Sequence, residues 1–511
     1  MSTKSEKEAK IKQLKKELDE MPEYTLSNKI LEKYDLITIL GVVMTKSGNS
    51  YVPYEVQLRK FILEDLKEHN VSSTIKNRVI NNIKDITATE DEEFFTHEDW
   101  IVPFTNGFYN VKTEEFKSLW GGDKKFFYEI PHPYNEDFKG CCSNFKEALK
   151  DYLKFQRNVN LCTLEDIFEI MGYCMAMNTN LKKAFYIFGP TNTGKTTFQT
   201  IFLHIIGDKN LANISLWRMQ KNEFGTDGLQ LKILNTVAET HGGRLNDISY
   251  FKQLTGADIF ISVEPKGEKK GRFINSAKLL YLGNMLPLVA IQHWNDHAFY
   301  KRWILINFAQ TFKVTREKFS DYILSNPDEV QGIIHECIEG LKRLFKRGDF
   351  RPELIEDSEH IWKYNSDSLY RFIHDKCEFD SIESVKQNEF AVSYVKYVVK
   401  NDLGIPIANQ KITTDLRKYG ILQTSCYDGG KRIYEYDGIK FKTDEAIKQK
   451  KETIEKIVEK AIGTIDKSYK DAFTEWEDEE TFLAQKELHE EEQEKYNVPP
   501  DLPEPPEDND Y

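Results

Sequence analysis

The run AFYIFGPTNTGKTTFQTIFLHII, residues 184–206, constrains the fold more than any other stretch of this chain. An apolar strand enters it, a glycine-rich turn follows, and a helix leaves it. Gly189-Pro190-Thr191-Asn192-Thr193-Gly194-Lys195-Thr196 matches the spacing GxxxxGK[ST], with Thr197 next in the helix. Glycines at both ends let backbone N–H groups curl round a phosphate, and the helix N-terminus adds positive potential. In that cradle Lys195 reaches the β- and γ-phosphates of ATP, and the Thr196 hydroxyl binds Mg²⁺. Such a turn belongs to an α/β domain with a largely parallel sheet.

The segments downstream keep the alternation that such a sheet needs. LKILNTVAE reads as a buried strand ending in Glu239, either an acid that polarises the attacking water and helps hold the metal's water shell or simply a solvated strand end. ISYFKQLTG reads as a helix carrying Lys252, and DIFISVEP and GRFINS as strands flanking a charged turn. AKLLYLGN ends in Asn284, whose amide either orients the attacking water or belongs to a plain Asn-Met-Leu-Pro turn. Arg302, before the strand WILINF, is either a surface salt-bridging residue or a finger reaching a neighbour's γ-phosphate. The run Lys266-Gly-Glu-Lys269-Lys270-Gly-Arg272 suits phosphate contacts independent of base sequence, or it is merely a solvated turn.

Residues 385–442 follow another pattern: two helices, then a hairpin around Asp428-Gly429-Gly430. This predicts a winged helix offering Lys411, Arg417, Lys418, Lys431 and Arg432 to DNA, or a protein-docking module. Residues 1–20 read as a solvated helix, 444 to about 490 as a charged helix and 497–511 as a Pro-rich acidic end expected to be disordered. The net charge of −13 does not argue against a DNA partner: residues 471–511 carry 16 acids and 2 lysines, leaving +1 for the other 470 residues. The seven cysteines form no CxxC pair, so neither a zinc ribbon nor a disulfide framework is expected. No apolar run is long enough to span a membrane, and the charged start does not read as a secretion signal.

Taken in order, GPTNTGKT, VAET, FKQLTGAD with the lysine-rich turn after it, LLYLGNMLP and KRWILINF resemble the superfamily 3 helicases of viruses and mobile elements. The nearest likeness is to the poxvirus and phage/plasmid primase-helicase group. FTNGFYNV, IPHPYN and MGYCMAM resemble the domain that precedes the ATPase in that group. The resemblance implies a hexameric AAA+ ring that hydrolyses ATP between subunits. Lys195, Thr196 and Glu239 map to the Walker elements, Asn284 to the sensor and Arg302 to the arginine finger. Lys252 and Lys266 fall between Walker B and sensor, with Lys269, Lys270 and Arg272 in a hairpin that tracks single-stranded DNA in the family, usually 3′→5′. Implied partners are single-stranded and forked DNA, further copies of the chain, and a separate primase or polymerase. Implied localisation is the host cytoplasm, with no membrane.

Fewer than 100 residues precede the family-like region, and no paired-acid motif able to hold two metals is evident, so no primase activity is expected. The expected division is an N-terminal helical region (1–94), a collar (95–180), the ATPase (181–315), a helical connector (316–376), a winged helix (377–443) and the charged tail (444–511). Two rivals remain open: a DNA-binding replication initiator that uses ATP to assemble and unwinds weakly, and a small-molecule kinase.

Overall fold

The computed structural model describes residues 22–442, apart from 40, 48–49, 66–72, 90–99, 119–124, 157–161, 221–227, 239–242, 257–259, 264–270, 314–317 and 402. The helix expected over 1–20 and the tail from 444 onward lie outside the described residues. The chain divides into two compact units: Met1–His374 with Ala391–Gly420, and Asp375–Phe390 with Ile421–Tyr511.

The first unit opens with α1 (Pro22–Lys33), strands β1 (Leu36–Ile39), β2 (Val42–Ser47) and β3 (Ser50–Pro53), then α2 (Glu55–Asp65) and α3 (Ser73–Ile86). The strands form an antiparallel sheet in that order, so this region is not purely helical. Its helices close over a small core of Leu26, Ile30, Val43, Leu58, Ile62, Val79 and Ile83. Next come β4 (Ile101–Phe104), β5 (Gly107–Asn110) and β6 (Glu115–Lys117), a meander whose first turn is Thr105-Asn106. Two helices follow, α4 (Ser143–Tyr152) and α5 (Leu164–Met175). Thr163 and Asp166 close the start of α5 with a reciprocal capping box.

The centre is a parallel sheet of β7 (Ala184–Phe188), β8 (Leu211–Ala212), β9 (Leu234–Val237), β13 (Lys278–Gly283) and β15 (Trp303–Asn307), in the order β15-β7-β13-β9-β8. Between these run α6 (Lys195–Ile206), α7 (Leu216–Met219), β10 (Arg244–Leu245), α8 (Ser249–Leu254), the antiparallel pair β11 (Phe260–Val263) and β12 (Gly271–Ile274), β14 (Leu288–Val289) and α9 (His297–Tyr300). A parallel sheet is stable only when both faces are covered. The period-2 alternation shows how this one is. Phe185, Ile187, Leu280, Leu282, Ile304 and Ile306 face one core with Phe145, Phe168 and Phe198. Tyr186, Tyr281, Trp303 and Leu305 face the other with Phe251, Phe299 and Trp362. There Trp303 stacks on Phe251 with centroids 4.5 Å apart. The fold is mixed α/β on a parallel sheet.

Helices α10 (Phe319–Leu324), α11 (Pro327–Arg347), α12 (Glu353–Glu356), α13 (Ser358–Ser366) and α14 (Ser368–Lys376) follow the sheet. The long α11 packs along α5 so closely that a Cβ at Gly172 would overlap the Cys337 carbonyl and one at Gly340 the backbone of Phe168. Acids of α5 meet arginines from the end of α11 and just beyond it: Asp166 with Arg351, and Glu169 with Arg347 and Arg343. Two further helices are α15 (Gln387–Lys400) and α16 (Asn409–Leu416).

The second unit contains β16 (Cys377–Lys386), β17 (Leu422–Asp428) and β18 (Lys431–Phe441) in the antiparallel order β16-β18-β17. Gly429 and Gly430 both have positive φ, 56° and 80°, as a two-residue hairpin turn of this hand requires. The hairpin was legible from sequence; β16 was not. No helix among the described residues is long and apolar enough to cross a membrane.

Candidate nucleotide site at the carboxyl edge of the parallel sheet

In a parallel sheet every strand delivers its C-terminal end to the same edge, where α/β folds gather their ligands. The register places Gly283, Phe188 and Asn307 in one row across β13, β7 and β15. The next residues out are Asn284 and Gly189, so the predicted sensor and the start of the glycine-rich loop emerge side by side, with neighbouring strands about 4.8 Å apart. Strand β9 ends at Val237, opposite Tyr281 and two residues short of Glu239. Glu239 itself lies outside the described residues, as do Lys266, Lys269 and Lys270 of the basic turn.

The loop conformation explains its composition. Gly189 has φ 147° and lies so near the Phe308 carbonyl that any Cβ would overlap it. Gly194 has φ 86° and is the residue from which α6 starts, where the Phe198 N–H donates to its carbonyl at 2.9 Å. Asn192 is also left-handed, φ 60°, which asparagine tolerates better than most side chains. Thr193 is buried and its hydroxyl donates to the Pro190 carbonyl at 3.1 Å. Pro190, Thr191, Asn192 and Thr196 are exposed, and Thr197 is half-buried.

Lys195 folds back over this turn. Its ammonium donates to the Gly189 carbonyl at 2.7 Å, to the Thr193 hydroxyl at 3.2 Å and to the Pro190 carbonyl. Burial pushes its pKa down to about 8. Carbonyl dipoles satisfy the donors without supplying a full negative charge, so the site fits an anion such as a polyphosphate. The Thr196 side chain is exposed at the helix start, where its hydroxyl could hold a metal ion beside such an anion.

Arg302 stands elsewhere. It precedes β15, and its carbonyl accepts from the Ala184 N–H at 2.7 Å. That is the amino edge of the sheet, the length of a five-residue strand away from the loop. Its Nη1 donates to the Ala298 carbonyl at 2.9 Å, while its Nε is buried without a hydrogen-bond partner. Burial lowers its pKa, partly offset by Asp296. The chain therefore does not bring Arg302 to its own loop.

Lys252 is also engaged. It pairs with Asp296 at 2.7 Å, and Asp296 caps α9 by accepting from the Phe299 N–H at 2.9 Å. Burial works to raise the Asp296 carboxyl, but these partners hold it below its ordinary range. Arg272 lies in β12 opposite Ser262. Of the cations offered by 411–432, Lys411, Arg417 and Lys431 are exposed. Arg432 is exposed too, and bonds the Ser425 hydroxyl at 3.1 Å. Lys418 is not free: its side chain is only 4% exposed, paired with Asp415 at 3.0 Å and lying over the Trp294 ring.

Sequence reasoning missed Asn307, Phe308, Phe312 and Tyr152. Asn307 ends β15 with its Oδ1 turned toward Gly189. The Phe312 N–H donates to the Asn192 carbonyl at 3.0 Å. The Tyr152 ring occupies the space where a Cβ of Gly194 would stand.

Residues 3–154 match the family described as "D5 N terminal like". Residues 187–297, which hold the loop and Asn284, match a "Family of unknown function (DUF5906)". No curated protein matches the chain. Among solved structures, the A form apo structure of the NrS-1 C terminal region is similar over 81% of this chain and 98% of that one, at 11% identity and a TM-score of 0.39. The apo structure of NrS-1 residues 305–718 covers the same shares at 12% identity and a TM-score of 0.36.

Proposed function

We propose that this chain is an ATP-driven DNA helicase that serves replication of a virus, phage or plasmid in the host cytoplasm. In this reading the parallel-sheet domain is a P-loop AAA+ core of superfamily 3, and residues 377–443 are a winged helix. Six copies form a ring around single-stranded DNA at a fork, in company with a separate primase or polymerase. The observation that carries it is the pairing of opposite edges. The loop and Asn284 share the carboxyl edge, whereas Arg302, with a buried and unpartnered Nε, sits at the amino edge. An arginine so placed serves the loop of a neighbouring copy.

The residues divide the work accordingly. Backbone N–H groups of 189–196 and the α6 terminus hold the triphosphate, and Lys195 aligns its outer phosphates. Thr196, with Glu239, would hold Mg²⁺, which would supply positive charge against the polyphosphate. Glu239 and Asn284 orient the attacking water. Arg302 of the next copy stabilises the charge that develops on the transferred group. Lys252, Lys266, Lys269, Lys270 and Arg272 are assigned to the DNA phosphates, Lys252 only by giving up Asp296.

A strand-displacement assay on a forked duplex with Mg-ATP tests this. The chain should unwind the fork, and Lys195→Ala should abolish unwinding. Tight DNA binding with ATP turnover but no strand separation would instead favour the initiator reading.

A further inference from the structure

Of the loop's three positive-φ residues, Gly189, Asn192 and Gly194, the last two are each held from outside by an aromatic residue. The Phe312 N–H reaches the Asn192 carbonyl at 3.0 Å, and the Tyr152 ring lies against the Cα of Gly194. The two rings touch each other edge-on, with centroids 5.8 Å apart, and Tyr152 also packs on Phe308 at 5.2 Å. Phe308 in turn is bonded to Phe188, the last residue before the loop, at 2.8 Å.

Tyr152 is the last residue of α4 and falls inside the D5-like segment. Phe145, Leu149 and Tyr152 are buried on one face of that helix. Phe145 stacks on Phe198 of α6, so α4 touches both the loop and the helix that leaves it. The other end of α4 is fixed just as firmly. Its N-cap residue, Cys142, supplies no side-chain bond. The buried carboxylate of Glu329, from α11, caps the helix instead, accepting from the Phe145 N–H at 2.7 Å and the Asn144 amide at 3.1 Å.

We infer that Tyr152 is a positioning residue through which the D5-like N-terminal segment sets the conformation of the nucleotide loop. This rests on the reading of 189–196 as a phosphate cradle. The ring keeps Gly194 in the conformation that starts α6 and aims Lys195, and Phe312 locks Asn192 beside it. Coupling of this kind is reciprocal: if α4 steadies the loop, nucleotide in the loop steadies α4.

The test measures Mg-ADP affinity in the full chain, together with hydrogen exchange of the peptide covering 143–153. Tyr152→Ala should weaken binding by about tenfold, and Tyr152→Phe, which keeps the ring, should bind like the parent. Leu149→Ala makes a cavity on the same helix face without touching Gly194. It should lower the melting temperature yet leave affinity within about twofold. Mg-ADP should slow exchange across 143–153 in the parent and not in Tyr152→Ala. If Tyr152→Ala does not fold, Tyr152→Leu, which keeps the bulk and removes the flat ring, takes its place with the same expectation. Parent-like affinity in the Ala or Leu variant, an equal loss in Leu149→Ala, or exchange across α4 indifferent to nucleotide overturns the inference. A parent that binds Mg-ADP no better than Lys195→Ala overturns the cradle itself.

Discussion

Lys195 gives the candidate site a pH dependence that can be worked out beforehand. Burial places its pKa at about 8 in the nucleotide-free chain. The ammonium is then roughly 90% protonated at pH 7, half at pH 8 and about 10% at pH 9. Only the charged form pairs with phosphate, and that pairing raises the pKa in the bound state. Mg-ADP affinity should therefore fall about tenfold from pH 7 to pH 9, and binding at pH 8 should take up roughly half a proton. Nucleotide phosphates titrate in this range too, so the background must be measured. Lys195→Arg supplies it, because guanidinium stays charged throughout. The readout is the ratio of parent to Lys195→Arg affinity at each pH, with proton uptake taken from calorimetry in two buffers of different ionisation enthalpy. The stability effect has the opposite sign. A lysine whose folded pKa lies below its unfolded value of 10.5 opposes folding fully below about pH 8. That opposition is relieved as pH rises toward 10.5, so this group makes the nucleotide-free fold firmer over the very window in which it loses nucleotide. An affinity ratio that stays constant from pH 7 to 9 refutes the argument.

The other expectations concern the frame and the proposed assembly. Glu169 is 2% exposed and is held by Arg347, with Arg343 at 3.5 Å, so Arg347→Ala leaves a carboxylate largely unpaired in the α5–α11 interface. Urea unfolding should show a loss of about 3 kcal/mol, with much of it recovered in Arg347→Met/Glu169→Met; a loss no larger than that of a surface substitution would show that the pair is idle. Arg302→Ala should retain nucleotide binding and lose ATP turnover, and mixing it with Lys195→Ala should restore part of the turnover, because intact loops then meet intact arginines. No recovery at any mixing ratio would remove Arg302 from a role in trans.

Much of the α/β character was legible because β7, β13 and β15 are short, mostly apolar runs bounded by turn residues, and residues buried on both faces read that way; the two-residue β8 was not legible. The loop was legible from its glycines. The order of the strands was not, since nothing local distinguishes β13 as the strand lying between β7 and β9. That order is what brings Asn284 beside Gly189. Strand β16 was missed for a different reason: CEFDSIESVK is mostly exposed and rich in Asp, Ser and Glu, residues with little preference for strands. It is a strand because β18, over 40 residues away, offers it a ladder. Tyr152 was hidden by good camouflage. With Phe145 and Leu149 it forms an ordinary apolar helix face, and only the missing Cβ of a glycine more than 40 residues later gives its ring a second use.

The edges of the sheet also constrain any assembly that uses them. Five parallel strands give the domain a carboxyl edge with the loop and an amino edge with Arg302. A two-fold dimer pairs like with like, so it cannot set one copy's amino edge against its partner's carboxyl edge through a single shared patch. A head-to-tail interface can, and repeated by rotation it closes into a ring. In this reading ring closure and catalysis are one event, since the groups that complete the site are those the single chain holds apart.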